Sequence, residues 1–327
     1  MKKHSPNINV MMSGRCGNQL FQYAYGRNLQ LQTAGKLYLD FCNYDFNDKK
    51  MVEQGYVNVL EDFNVADYIF VDKAHLDKSL FARGQYEIYF FLRRLYSRLF
   101  FKNRVLASVL IYFLERIISV PLQILMGIYF FESANSQWLH LPPMPWHRTI
   151  ILSGFFESDN YFKKNKDVLE KELLPKVIIN NELRDILEKM NGKTVTCMSV
   201  RRGDFASGQF KKQFLVCDED YYRKAVSLVR DKHPDTTLLI CSDDVEWCKE
   251  NLHFGDIPMI YEPLGLTPPQ NLFLRMHCDH FILSNSTFSW WGQELSANNE
   301  KMVVAPRKWR KEVFPPKDIY CDNWILL

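Results

Sequence analysis

Two adjacent arginines, Arg201 and Arg202, follow the apolar run TVTCMSV and precede Gly203 and Asp204. A guanidinium is planar, always charged and able to grip phosphate oxygens two at a time, and a glycine beside it lets backbone approach a ligand. The pattern reads as a diphosphate clamp; the competing reading is a surface salt bridge to Asp204. Three further apolar runs end in polar residues. TTLLIC leads into Ser242-Asp243-Asp244, PMIY into Glu262, and FILS into Asn285-Ser286-Thr287. Ser286 and Thr287 open a helical pattern, where hydroxyls and unpaired backbone N–H groups receive an anion, although Ser286 also has the form of an ordinary N-cap. Asp243 and Asp244 admit two roles: capping the next helix, or accepting hydrogen bonds from a ribose or base. Asp218-Glu219-Asp220 has the D-x-D form of a cation site, yet it sits at a helix start, where acids are expected for capping and for the helix dipole. It is read as a cap, and no metal is expected. Trp247, Trp290 and Trp291 fall within helical patterns and are read as core.

Other chemistries find little support. There is no G-x-x-x-x-G-K-[ST] loop, and Gly14 and Gly17 do not make G-x-G-x-x-G, so nucleotide hydrolysis and dinucleotide redox chemistry are not indicated. A formal charge of +3, from 41 basic and 38 acidic residues, does not point to nucleic acid. The eight cysteines lack metal-ligand spacing and are read as free thiols. The N-terminal MKKHSPNINV has no apolar stretch of the kind a secretory signal carries. A cytoplasmic address is expected.

The elements that must position these residues are legible. At 327 residues with 47% hydrophobic and 24% charged residues, the chain has length for two domains with a cleft between them. From Lys193 on, strands (194–200, 236–241, 258–261, 281–284, 302–305) alternate with helices, the pattern of an α/β unit with a parallel sheet. Tyr161 to Leu174 and Glu182 to Met190 read as helices. The first part opens with a strand at 7–13, a glycine-containing turn at 14–17, a helix to Thr33 and a strand LYLDF, with another strand at 149–156. The turn aims Asn18 and Gln19 at the mouth of a cleft. Domains are expected at 1–165, with a helical insert at about 75–135, and at 166–327. Residues 93–131 combine a basic amphipathic stretch with the most apolar run of the chain. Packed helices are one reading, peripheral contact with the inner face of an anionic membrane is another, and a true transmembrane span is the third.

GRCGNQLFQYAYGRNL (14–29), GFFESDNYF (154–162), SVRRGDF (199–205), SDDVEW (242–247), CDHFILSNSTFSWWG (278–292), KMVVAPRKW (301–309) and DIYCDNW (318–324) resemble, in order, the recurring segments of the inverting α-1,2-fucosyltransferases of glycosyltransferase family 11. The resemblance implies a GT-B architecture of two Rossmann-like domains facing a central cleft. It implies GDP-β-L-fucose as donor, no metal or other cofactor, and transfer to the 2-OH of a terminal galactose on a glycan; a lipid-linked or surface-polysaccharide acceptor is what the basic amphipathic segment within 93–131 would suit. Arg201 and Arg202 would grip the pyrophosphate with help from Ser286, Thr287 and Ser289, and Asp204 would order that loop or act as base. Asn18 and Gln19 would face fucose and acceptor from the other domain, and Gly14 and Gly17 of the turn before them are counted among the binding residues. Ser199, Asp243, Asp244 and Asn285 complete the expected donor site. Two positions depart from the family: Ser199 stands where its members usually carry His, and Gly14-Arg15-Cys16-Gly17 replaces their Gly-Gly-Leu-Gly turn. Another fucosyl linkage (α-1,6 or protein O-fucosylation) and a non-catalytic, membrane-associated GDP-sugar-binding protein are the alternatives.

Overall fold

The apolar runs pair into two sheets, each parallel throughout. The computed structural model describes residues 5–72, 127–133, 148–203, 211, 214–311 and 318–327. One compact unit comprises Met1–Ser13, Gln22–Val57 and Asp67–Phe155; the other comprises Gly14–Phe21, Asn58–Ala66 and Phe156–Leu327. The α/β class and the two Rossmann-like parallel sheets expected from the sequence are both present.

In the first unit β1 (Asn7–Met11) lies at the centre of the order β3-β2-β1-β5-β4, with β2 Lys36–Asp40, β3 Ile69–Val71, β4 Ile128–Ser133 and β5 Thr149–Gly154. Helix α1 (Cys16–Thr33) crosses from β1 to β2, and α2 (Lys49–Glu53) follows. Gly26 lets α1 lie on the sheet, because a Cβ there would come within 2.6 Å of the Val10 side chain. Gln22 ties the carboxyl ends of β1 and β5 together. Its Oε1 accepts from the Ser13 N–H at 3.1 Å and its Nε2 donates to Gly154 O at 2.8 Å.

In the second unit α3 (Lys166–Glu172) and α4 (Asn181–Met190) precede β6 (Val195–Val200). There follow α5 (Glu219–Lys232), β7 (Thr237–Ser242), α6 (Val245–Asn251), β8 (Met259–Tyr261), α7 (Pro268–Met276), β9 (His280–Ile282), α8 (Thr287–Glu294), β10 (Val303–Ala305) and β11 (Ile325–Leu326). The sheet order is β11-β10-β9-β6-β7-β8. Every residue of β6 is buried, as a strand covered on both faces requires. Met198, Val200, Leu238, Ile240, Ile282 and Val304 from the strands pack with Tyr222, Ala225, Val226 and Val229 of α5 in one core. The helix starts are capped as their sequences suggest: Asn180 accepts from the Leu183 N–H, Asp218 from Tyr221, Asp244 from Trp247, and Thr267 forms a capping box with Gln270.

Some expectations change. The helix expected over Tyr161 to Leu174 is two 3-10 turns, Asp159–Tyr161 and Lys163–Asn165, followed by α3 alone. Phe162, at φ −139 and ψ 0, departs from helical geometry and separates the turns. The insert expected at about 75–135 ends in strand β4, and its residues 75–126 lie outside the described residues, as does most of the 93–131 segment. Among the described residues, no helix is long and apolar enough to cross a membrane. All eight cysteines are free thiols.

His280, buried at the start of β9, stacks on His233 with ring centroids 3.7 Å apart, and its Nδ1 lies 3.2 Å from the Met302 N–H, which donates to it. Burial first, and the His233 ring second, push the His280 pKa below its ordinary value, against a weaker opposing pull from Asp279. A histidine held neutral in the fold contributes stability that is present above its unfolded pKa and is lost as pH falls. The melting temperature is therefore expected to drop between pH 7 and 5. His280→Asn, whose Oδ1 replaces the Nδ1 acceptor without titrating, should flatten that acid limb; an unchanged limb in thermal melts would contradict the assignment.

Candidate active site

In an open parallel sheet, ligands bind beyond the carboxyl ends of the strands where the chain order reverses direction. In the second unit β6 continues to β7 and β8 on one side, while β9, β10 and β11 build outward on the other, so the reversal lies between β6 and β9. The residues after β6 are Arg201, Arg202 and Gly203; those after β9 include Asn285, Ser286 and Thr287. Topology alone thus selects two of the polar clusters marked in the sequence.

The arginines are held by the aspartates that follow β7. Arg201 Nη1 lies 2.7 Å from Asp243 Oδ2, and Arg202 Nε lies 3.1 Å from Asp244 Oδ2. The Arg202 backbone N–H donates to Asp243 Oδ1 at 2.8 Å. A Cβ at Gly203 would stand 2.5 Å from Asp243 Oδ2, so glycine is what admits this carboxylate beneath the loop. The Arg202 guanidinium carbon sits 3.7 Å above the centre of the Trp247 ring. Trp247 is therefore a platform for an arginine as well as a core residue. The pair to Asp244 engages only Nε of Arg202, and among the described residues its two terminal nitrogens make no hydrogen bond or ion pair. The result is an aimed, partly exposed fork suited to phosphate oxygens.

Ser286 occupies the N-cap position of α8, yet its side chain makes no cap hydrogen bond. The first N–H groups of a helix have no intrahelical partner, so a hydroxyl that makes no hydrogen bond among the described residues and a positive helix end lie together. Helix α8 is anchored by the start of α1, within the same unit. Thr287 Oγ1 donates to Asn18 Oδ1 at 2.9 Å, and Trp291 Nε1 donates to Gly17 O at 3.0 Å. A Cβ on Gly17 would lie 2.6 Å from Phe288 N and 2.7 Å from the Thr287 carbonyl carbon. Backbone cannot yield as a flexible side chain does, so Gly17→Ala is expected to destabilise the protein by about 1–3 kcal/mol. Urea unfolding measures it, and a variant as stable as the parent would contradict the close approach. Gly14, at φ +78, supplies the left-handed turn before α1.

Several residues expected at the donor site have other duties. Gln19 is fully buried, with Oε1 accepting from the Val59 N–H at 3.1 Å, so it offers no surface to a ligand. Ser199 is buried; its hydroxyl accepts from Arg275 Nη1 at 3.1 Å and its carbonyl from the Tyr222 hydroxyl at 3.2 Å. Asn285 is buried and spends Nδ2 on Phe214 O at 2.9 Å and Trp309 O at 3.0 Å. Ser289 is buried with its hydroxyl 3.2 Å from that of Ser284. Asp204 lies outside the described residues. Asp218 caps α5, while Glu219 and Asp220 pair with Arg223 and Lys224.

Behind the arginines lies a buried ion pair of which the strand-end pattern in the sequence marks only Glu262. Arg275 on α7 meets Glu262 after β8 at 2.9 Å, with both side chains buried. Burial pushes the Glu262 carboxyl above its ordinary range while Arg275 pulls it back. An arginine within the apolar run LFLRMHC was the available signal.

The recurring aromatic segments converge on core packing. Phe21 packs on Trp290 and Trp291 at 4.7 and 4.8 Å, Phe162 stacks on Trp291 at 5.6 Å, and Trp290 Nε1 donates to Ile319 O at 2.8 Å. They fix α8 and hence Ser286 and Thr287.

Residues 7–327 match the family described as Glycosyl transferase family 11. WbnK, an O-antigen biosynthesis glycosyltransferase of Escherichia coli, is 27% identical over 97% of this chain and 99% of its own. An alpha-1,2-colitosyltransferase of Escherichia coli is 26% identical over 53% of this chain and 60% of its own. The galactoside alpha-(1,2)-fucosyltransferase 1 of Homo sapiens is 24% identical over 53% of this chain and 51% of its own, so the chain spans only part of these last two relatives.

Proposed function

The chain belongs to glycosyl transferase family 11, and from that premise we propose that it transfers L-fucose from GDP-β-L-fucose to the 2-OH of a terminal galactose, with inversion to an α-linked product. The observation that supports this reading most is the Arg202 fork at the point where the strand order reverses, aimed by Asp244 and Trp247 with its terminal nitrogens unclaimed among the described residues. In the proposed reaction the acceptor oxygen attacks the anomeric carbon as the bond to the β-phosphate oxygen breaks, and GDP leaves with the bonding electron pair. The negative charge that develops on the β-phosphate oxygens is stabilised by Arg201, Arg202, Ser286 and the N-terminus of α8. The acceptor proton passes to a carboxylate, for which Asp204 is the proposed base. Because arginines supply the charge, the reaction is proposed to need no metal ion. The acceptor is proposed to be a glycan under construction, in keeping with a relative named for O-antigen biosynthesis.

A second donor has a specific ground: one relative is named a colitosyltransferase. GDP release in EDTA, with GDP-fucose and GDP-colitose in parallel and with and without β-galactosides, tests the proposal. Acceptor-stimulated release from GDP-fucose is expected. Release from GDP-colitose alone would replace the donor, and activity restored only by added divalent cation would remove the metal-free mechanism.

A further inference from the structure

The arginine clamp is formally neutral as built. Arg201 is offset by Asp243 at 2.7 Å and Arg202 by Asp244 at 3.1 Å. A diphosphate brings negative charge that this set aims at but does not offset, so a further cation at the same edge is to be expected.

Arg310 fits that requirement. It lies in the loop after β10, the strand next to β9. The carbonyl of Trp309, the residue before it, accepts from Asn285 Nδ2 at 3.0 Å, so the backbone leading to Arg310 is tied to the residue before Ser286. The same Asn285 nitrogen donates to Phe214 O at 2.9 Å, and the Arg310 guanidinium sits 5.0 Å from the centre of the Phe214 ring. This is the placement of a side chain on a fixed platform. The guanidinium nevertheless lacks a counter-charge: among the described residues no carboxylate pairs with Arg310, and its Nε is buried with no hydrogen-bond partner. Burial lowers its pKa below the usual arginine value with no opposing carboxylate. A desolvated, unpaired charge is costly, and the aromatic face repays only part of that cost.

We propose that Arg310 is a third guanidinium of the nucleotide site, binding phosphate oxygens of the donor's diphosphate. The assignment rests on the sugar-nucleotide reading above and adds a residue to it. Sequence alone did not mark Arg310, because it stands in a loop outside the segments that end in paired polar residues.

The test is calorimetric binding of GDP and of guanosine to the full chain and to Arg310→Gln and Arg310→Lys. Loss of one charge-assisted contact is expected to raise the Kd for GDP about 10–100-fold in Arg310→Gln. Arg310→Lys should fall between, and guanosine binding should be unchanged. Removing a half-buried charge that no carboxylate of the described residues offsets should leave the melting temperature equal or higher, which separates this effect from misfolding. An unchanged Kd for GDP in a native-like Arg310→Gln overturns the assignment alone. A parent protein that does not bind GDP overturns the functional reading and this assignment together.

Discussion

Arg202→Ala is expected to lower kcat by about 10²–10³-fold while the protein stays folded. The side chain is only partly buried, and its removal leaves Asp244 still capping α6 through the Trp247 N–H. The scaffold therefore loses one ion pair of small worth and one contact with Trp247. In the proposed mechanism the terminal nitrogens, by contrast, would meet charge that develops only as GDP departs, and interactions made in the transition state are those that raise kcat. Steady-state kinetics with native circular dichroism checks this. Near-normal turnover by folded Arg202→Ala would remove the arginine from the chemistry.

Arg275→Met is expected to destabilise the protein by about 3–5 kcal/mol, because it strands the Glu262 carboxylate in the core. The loss should depend on pH in a defined direction. Glu262 already has its pKa raised by burial, and without Arg275 it rises further. A carboxyl with a folded pKa above the unfolded value contributes stability at low pH that is lost as pH rises. The variant should thus be nearest to the parent near pH 4–5 and furthest from it above pH 7, and Glu262→Leu added to Arg275→Met should recover much of the loss. Equal stability of the single variant and the parent at pH 8 in urea unfolding would contradict the buried pair. Ser199 gives this pair a link to the clamp, since it accepts from Arg275 two residues before Arg201.

The strands were legible where they are long and apolar. β6 and β7 differ by one residue from their expected bounds, because a strand covered on both faces must be a continuous hydrophobic run. β3 and β11 have three and two residues, too few for a period to register, and β4 closes a segment whose composition reads as helix. The placement of Arg201-Arg202-Gly203 directly after a strand was legible because residue type and sequence position act locally. The partners of the arginines were not, since pairing with Asp243 and Asp244 depends on β6 lying beside β7. For the same reason Ser199 and Gln19 look like ligand residues in sequence and prove to be buried struts. Arg310 shows the converse: an arginine in a loop has no distinguishing mark until its platform, and the lack of a counter-ion among the described residues, are visible.

Nuclear magnetic resonance of the product formed from GDP-fucose and a β-galactoside-terminated acceptor in EDTA tests the proposed α-1,2 transfer. The expected product carries an α-linked fucose on the 2-OH of the terminal galactose. A β-linkage, substitution at another hydroxyl, or no product from folded protein that binds GDP across a panel of such acceptors would contradict the proposed transfer.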